Sequence, residues 1–123
     1  MTDTGVPIQQ GLMTTMAMIP AGESYSDAID LTDKRLVSIH LPESWNEAPL
    51  TFEVSTDGAT SPYRPLYRHD GHSVSVVVPA GNVAVMLPDY LGSGLGFVRL
   101  RSGTREHPVP QSADRHFVLL TTQ

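Results

Sequence analysis

The run His69-Asp70-Gly71-His72 places two imidazoles and a carboxylate within four residues. Imidazole and carboxylate are ordinary transition-metal ligands, yet this spacing is not that of a closed metal site. The Asp-Gly pair makes a tight turn instead, with both histidines directed to solvent. Asp27, Asp30 and Asp33 form an acidic segment of the kind that offers oxygen ligands to calcium. The glycine-centred calcium-loop pattern is missing, so local hydrogen bonds from side chain to backbone are the expectation. The run Gly92-x-Gly94-x-Gly96 would cradle phosphate only between a strand and a helix N-terminus. Here a strand follows, which makes the run a hairpin loop. No metal and no cofactor are expected.

Nucleophilic catalysis has raw material in the serines and five histidines, but there is no Gly-x-Ser-x-Gly elbow and no ordered set of partners. Glu43 and Glu47 would serve glycoside cleavage only if they faced each other across a cleft. A sandwich of 123 residues has little room for one, so the chain reads as a non-enzyme. Two binding chemistries remain. Trp45, Tyr63, Tyr67 and Tyr90 are candidates for stacking on sugar rings, with Trp45 expected to pack as core beneath the Pro42–Pro49 loop. Arg99, Arg101, Arg105 and Arg115 are candidates for an assembly interface. Arg99 and Arg101 alternate with Val98 and Leu100 and so stand on the outer face of one strand, ready to pair bidentately with carboxylates.

Charge supports the second chemistry. The net charge is −5, which repels polyphosphate and makes nucleic acid a poor partner. Residues 1–60 hold nine acidic side chains against Lys34 and Arg35, whereas residues 61–123 hold four acidic against six arginines. An acidic and an Arg-bearing face can steer copies of the chain together.

The elements that position these groups are strands. Hydrophobic residues make up 40% and charged residues 17%, with ten Gly and ten Pro, a composition that supplies a core and frequent turns. Cysteine is absent, so packing must stabilise the fold. No apolar run approaches the roughly 20 residues of a membrane span, and no secretory leader is apparent, so no membrane partner is expected. Residues 1–11 read as an N-terminal arm and residues 12–123 as one domain. Leu12 to Ile19 reads as a strand ended by Pro20-Ala21-Gly22. Val37, Ile39 and Leu41 alternate with polar residues, as do Leu50, Phe52 and Val54, which sends Glu53 to the surface. Tyr63 to Tyr67, interrupted by proline, suits a sheet edge. Val74 to Val78 and Val83 to Leu87 predict a hairpin around Pro79-Ala80-Gly81-Asn82. Strands over 97–101 and 115–121 complete an all-β antiparallel sandwich of about eight strands, with jelly roll as the expected topology.

Three segments carry a family resemblance. They are Ala-Gly-Glu-Ser-Tyr-Ser-Asp-Ala-Ile-Asp-Leu from Ala21, Leu-Pro-Glu-Ser-Trp-Asn-Glu-Ala-Pro-Leu-Thr-Phe-Glu-Val-Ser-Thr-Asp-Gly from Leu41, and Arg-Ser-Gly-Thr from Arg101 with Pro-Val-Pro-Gln-Ser-Ala-Asp-Arg from Pro108. In them the chain resembles small proteins of tailed bacteriophages and related prophages. The resemblance implies a virion structural protein assembled in the host cytoplasm, a capsid decoration or head-spike component. Its implied partners are other virion proteins, the major capsid protein first, and further copies of itself. The competing reading is a carbohydrate-binding module that attaches to a cell-surface glycan.

Overall fold

The computed structural model describes residues 12–88 and 94–123. The arm at 1–11, Tyr90 and Gly92 lie outside the described residues. Nine strands and no helix occur among them: β1 (Met13–Ile19), β2 (Ile29–Leu31), β3 (Arg35–His40), β4 (Leu50–Ser55), β5 (Arg64–Pro65), β6 (Ser75–Val76), β7 (Ala84–Met86), β8 (Gly96–Ser102) and β9 (Arg115–Thr122). They form two antiparallel sheets packed together as a sandwich. One runs β1-β9-β3-β7; the other runs β2-β8-β4-β5, with β6 also paired to β4.

The pairings nest. The first strand pairs with the last, β2 with β8, β3 with β7, and β4 with both β5 and β6. The chain is thus a long antiparallel ribbon folded at the β4–β5 connection, and further ladders, β9 to β3 and β4 to β8, join the coils of the ribbon side by side.

Alternation decides which side chains meet between the sheets. Ile19, Ile39, Phe117 and Leu119 from one sheet and Ile29, Leu31, Leu50, Phe52, Val98 and Leu100 from the other are almost wholly buried in one apolar cluster. Each such side chain contributes about 1.5–3 kcal/mol on leaving water. Trp45 is half-buried against this cluster, edge-on to Phe117 at 5.6 Å between ring centroids, with its indole N–H donating to the Ala48 carbonyl at 3.1 Å. Pro65 sits in a two-residue edge strand, where the missing amide N–H removes no ladder bond from a central strand.

Two expectations fail here. The runs at 74–78 and 83–87 are not a hairpin, because β6 pairs with β4 in one sheet and β7 with β3 in the other. The turn between them crosses from sheet to sheet, with Asn82 in the left-handed region at φ 56°. Glu53 is not a surface residue. It is 7% exposed, and Thr51 and Ser55 beside it are 2% exposed, so β4 is covered on both faces.

Candidate functional site

The outer face of the five-stranded sheet is covered by its own charges and tyrosines. In the β4–β8 ladder Thr51 lies opposite Arg101 and Glu53 opposite Arg99. Glu53 gathers both arginines. Its Oε1 accepts from Arg99 Nε at 3.1 Å and Nη2 at 2.7 Å, and its Oε2 accepts from Arg101 Nη1 at 2.8 Å. Arg101 Nε also donates to the Thr51 hydroxyl at 2.9 Å, and that hydroxyl donates to the Gly103 carbonyl at 2.7 Å.

Aromatic rings close over the cations. The segment before β2 runs beside β8 through a bridge between Tyr25 and Arg101, held by Ser26 N–H to Leu100 O at 2.9 Å and Ser102 N–H to Ser24 O at 2.7 Å. This puts the Tyr25 ring 4.2 Å from the Arg99 guanidinium carbon and 5.9 Å from that of Arg101. The Tyr63 ring lies 4.6 Å from Arg99. Ring quadrupoles attract cations at these distances. The Tyr63 hydroxyl is buried without a hydrogen-bond partner.

The four arginines expected to form an exposed interface therefore separate. Arg101 is 2% exposed and Arg115 is 8% exposed. Arg115 donates through Nε to Gln111 Oε1 at 3.0 Å and through Nη2 to Asn46 Oδ1 at 2.8 Å, tying the loop at Asn46 to the segment before β9. Both side chains are engaged inside the domain: Arg101 stands on the outer face beneath the segment at 24–26, whereas Arg115 shares the inward register of Phe117 and Leu119 at the start of β9. Arg99 keeps a side chain 32% exposed, and Arg105 is exposed.

The titratable runs are likewise engaged locally. Asp70 pairs with Arg68 and lies 3.2 Å from His72 Nδ1, and the His72 N–H bonded to it holds its carboxyl below the usual range. Asp27 accepts from the Met18 N–H at 2.9 Å, and Asp30 from the Thr32 hydroxyl and N–H. Among the described residues no three His, Asp or Glu side chains group as metal ligands. Glu43 and Glu47 are both exposed. Among the described residues Asp57 is the most perturbed carboxyl. The Thr60 hydroxyl and the N–H groups of Ala59, Ser61 and Thr60 converge on it and lower it to about 2. Of the stacking candidates, Trp45 and Tyr63 are half-buried in the contacts above and Tyr67 is 45% exposed.

A second surface was not read from the sequence. On the outward face of the four-stranded sheet the register aligns Met16, Val118, His40 and Ala84 in one row and Thr14, Leu120, Ser38 and Met86 in the next. Met16 is 61% and Met86 is 78% exposed, and Leu12, leading into β1, is 59% exposed. Neither row contains Asp, Glu, Lys or Arg. The alternation of Thr14, Met16 and Met18 was a signal for it.

Compared with known proteins, the chain matches no family model, no curated sequence and no solved structure.

Proposed function

We propose that this chain is a non-enzymatic structural protein of a phage virion, a capsid-associated decoration or head-spike component that works through protein–protein contacts. The observation that carries the assembly reading is the pair of register rows without Asp, Glu, Lys or Arg on the outward face of the β1-β9-β3-β7 sheet, where Met16 and Met86 stand largely exposed. Exposed apolar side chains on a face free of charge are a common mark of an interaction surface, and methionine adapts its shape to a partner at little cost. The nested ribbon pairing agrees with a jelly roll, an architecture that recurs in viral coats and in lectins. The virion assignment itself rests on the resemblance of the segments at Ala21, Leu41 and Arg101, joined to this fold-level analogy.

The glycan reading receives less support. Trp45 is half-buried against the core beside Phe117 and the Tyr63 ring packs on Arg99, so they do not form an open stacking platform.

The test is co-sedimentation of the purified protein with undecorated phage particles, and sedimentation of the protein alone, for wild type and for Met16→Ser with Met86→Ser. Wild type binds particles or self-associates, and the double variant folds but loses that association. A wild type that stays monomeric, ignores particles and binds a glycan array overturns the proposal.

A further inference from the structure

We propose that Arg99 is the centre of a carboxylate-recognition site on the outer face of the five-stranded sheet, built to take an acidic side chain from a partner protein. This does not depend on the chain being a virion protein.

The argument starts from charge. Two guanidinium groups, Arg99 and Arg101, share one carboxylate, Glu53, which leaves one positive charge over in surroundings where Glu53 is 9% and Arg101 is 2% exposed. A charge removed from bulk water is worth more to an incoming counter-ion than one on a solvated lysine.

Geometry then selects the edge that is open. A guanidinium can pair side-on, through Nε and one Nη, or end-on, through both Nη groups. Glu53 Oε1 takes the side-on fork of Arg99, at 3.1 Å and 2.7 Å. Nη1 has no hydrogen-bond partner among the described residues, and the Arg99 side chain is 32% exposed. The end-on fork therefore meets solvent. Tyr25 at 4.2 Å and Tyr63 at 4.6 Å fix the plane of the cation, so little side-chain freedom remains to be lost on binding.

The same count of charges selects the ligand. A single carboxylate neutralises the surplus of one. A phosphate monoester brings nearly two negative charges beside Glu53, on a chain whose net charge is −5, and is repelled. The acidic side chain can come from another protein or from a second copy of this chain.

The test is a titration at constant ionic strength, following the Arg99 Nε–H resonance and the Tyr25 and Tyr63 ring resonances by NMR. The probes are an end-blocked peptide of neutral residues carrying one glutamate and its glutamine counterpart. The glutamate peptide gives saturable shifts at all three residues and the glutamine peptide gives none. Arg99→Gln weakens binding about tenfold, the scale of one charge-assisted hydrogen bond. Arg105→Gln makes the same charge change at an exposed arginine outside the cluster and leaves binding unaltered. If protein dilution without peptide reproduces the same shifts, a second copy supplies the carboxylate. Equal response to both peptides, equal loss in the two variants, or no saturable shift in either titration or dilution overturns the proposal.

Discussion

Glu53→Ala tests the physical account of the outer face most directly. The substitution removes three hydrogen bonds from arginine at 2.7, 2.8 and 3.1 Å and a fourth from the Tyr25 hydroxyl at 3.4 Å. It strands Arg101, 2% exposed, with only the Thr51 hydroxyl as an acceptor. Arg99, with a side chain 32% exposed, is already in reach of water, so its loss is small; Arg101 is not. Breaking a buried pair by removing one member costs about 3–5 kcal/mol, because the remaining charge stays desolvated. For a small domain of about 5–15 kcal/mol total stability that is a large fraction. With a urea m-value near 2 kcal/mol per molar, the midpoint falls by roughly 2 M. The informative control is Arg101→Met in the Glu53→Ala background. Removing the stranded charge and refilling its volume recovers most of the loss, since apolar replacement of a buried pair is often neutral. A Glu53→Ala midpoint within experimental error of wild type refutes the reasoning, and so does a double variant less stable than the single.

Phe52→Ala, at a side chain 1% exposed between the sheets, lowers stability by about 3–5 kcal/mol in the same melts. Tyr63→Phe removes a buried hydroxyl that has no partner, so it leaves the urea midpoint unchanged or raises it. Gly96→Ala lowers the midpoint sharply, because Gly96 sits at φ +79° and a Cβ there would lie 2.7 Å from the Ser55 carbonyl oxygen. Asp57 has its pKa lowered from 3.8 to about 2, so its carboxylate stabilises the fold above pH 3.8 and that contribution is lost as pH falls through about 2. Wild type thus exceeds Asp57→Ala in thermal midpoint at neutral pH, and the gap narrows across that acid window.

The sandwich is legible because period-two alternation is local. Val37, Ile39 and Leu41, or Leu50 and Phe52, announce an inner face without knowledge of what lies across from it. What alternation cannot say is whether the other face is wet. Thr51, Glu53, Arg99 and Arg101 read as solvent-facing by their polarity, yet Tyr25 and the segment at 24–26 fold over them through bonds to Leu100 and Ser102. That cover comes from some 75 positions away in sequence, as the Ser26 hydroxyl accepting from the Leu100 N–H shows with a separation of 74. The supposed hairpin at 74–87 failed for a related reason. A turn between two apolar runs fixes their separation in sequence but not whether they hydrogen-bond to each other or to strands in opposite sheets.

The nested pairing governs when the molecule can come into being. Met13 and Thr121 are partners in the register though 108 positions apart, and β9 lies between β1 and β3. Until the last strand has been synthesised, β1 has no ladder to join, and β3 lacks one of its two neighbours. A ribosome adding about 5–20 residues per second therefore holds Ile19 and Ile39 uncovered for the several seconds needed to reach and complete β9. Pairing so distant in sequence also makes closure slow, because the entropy of bringing the ends together must be met before any contact rewards it. The vulnerable species is thus the nascent chain, with β1, lined by Met13, Met16 and Met18, and β3 both unzipped, and helper proteins that shield it would act before residue 115 emerges, not after.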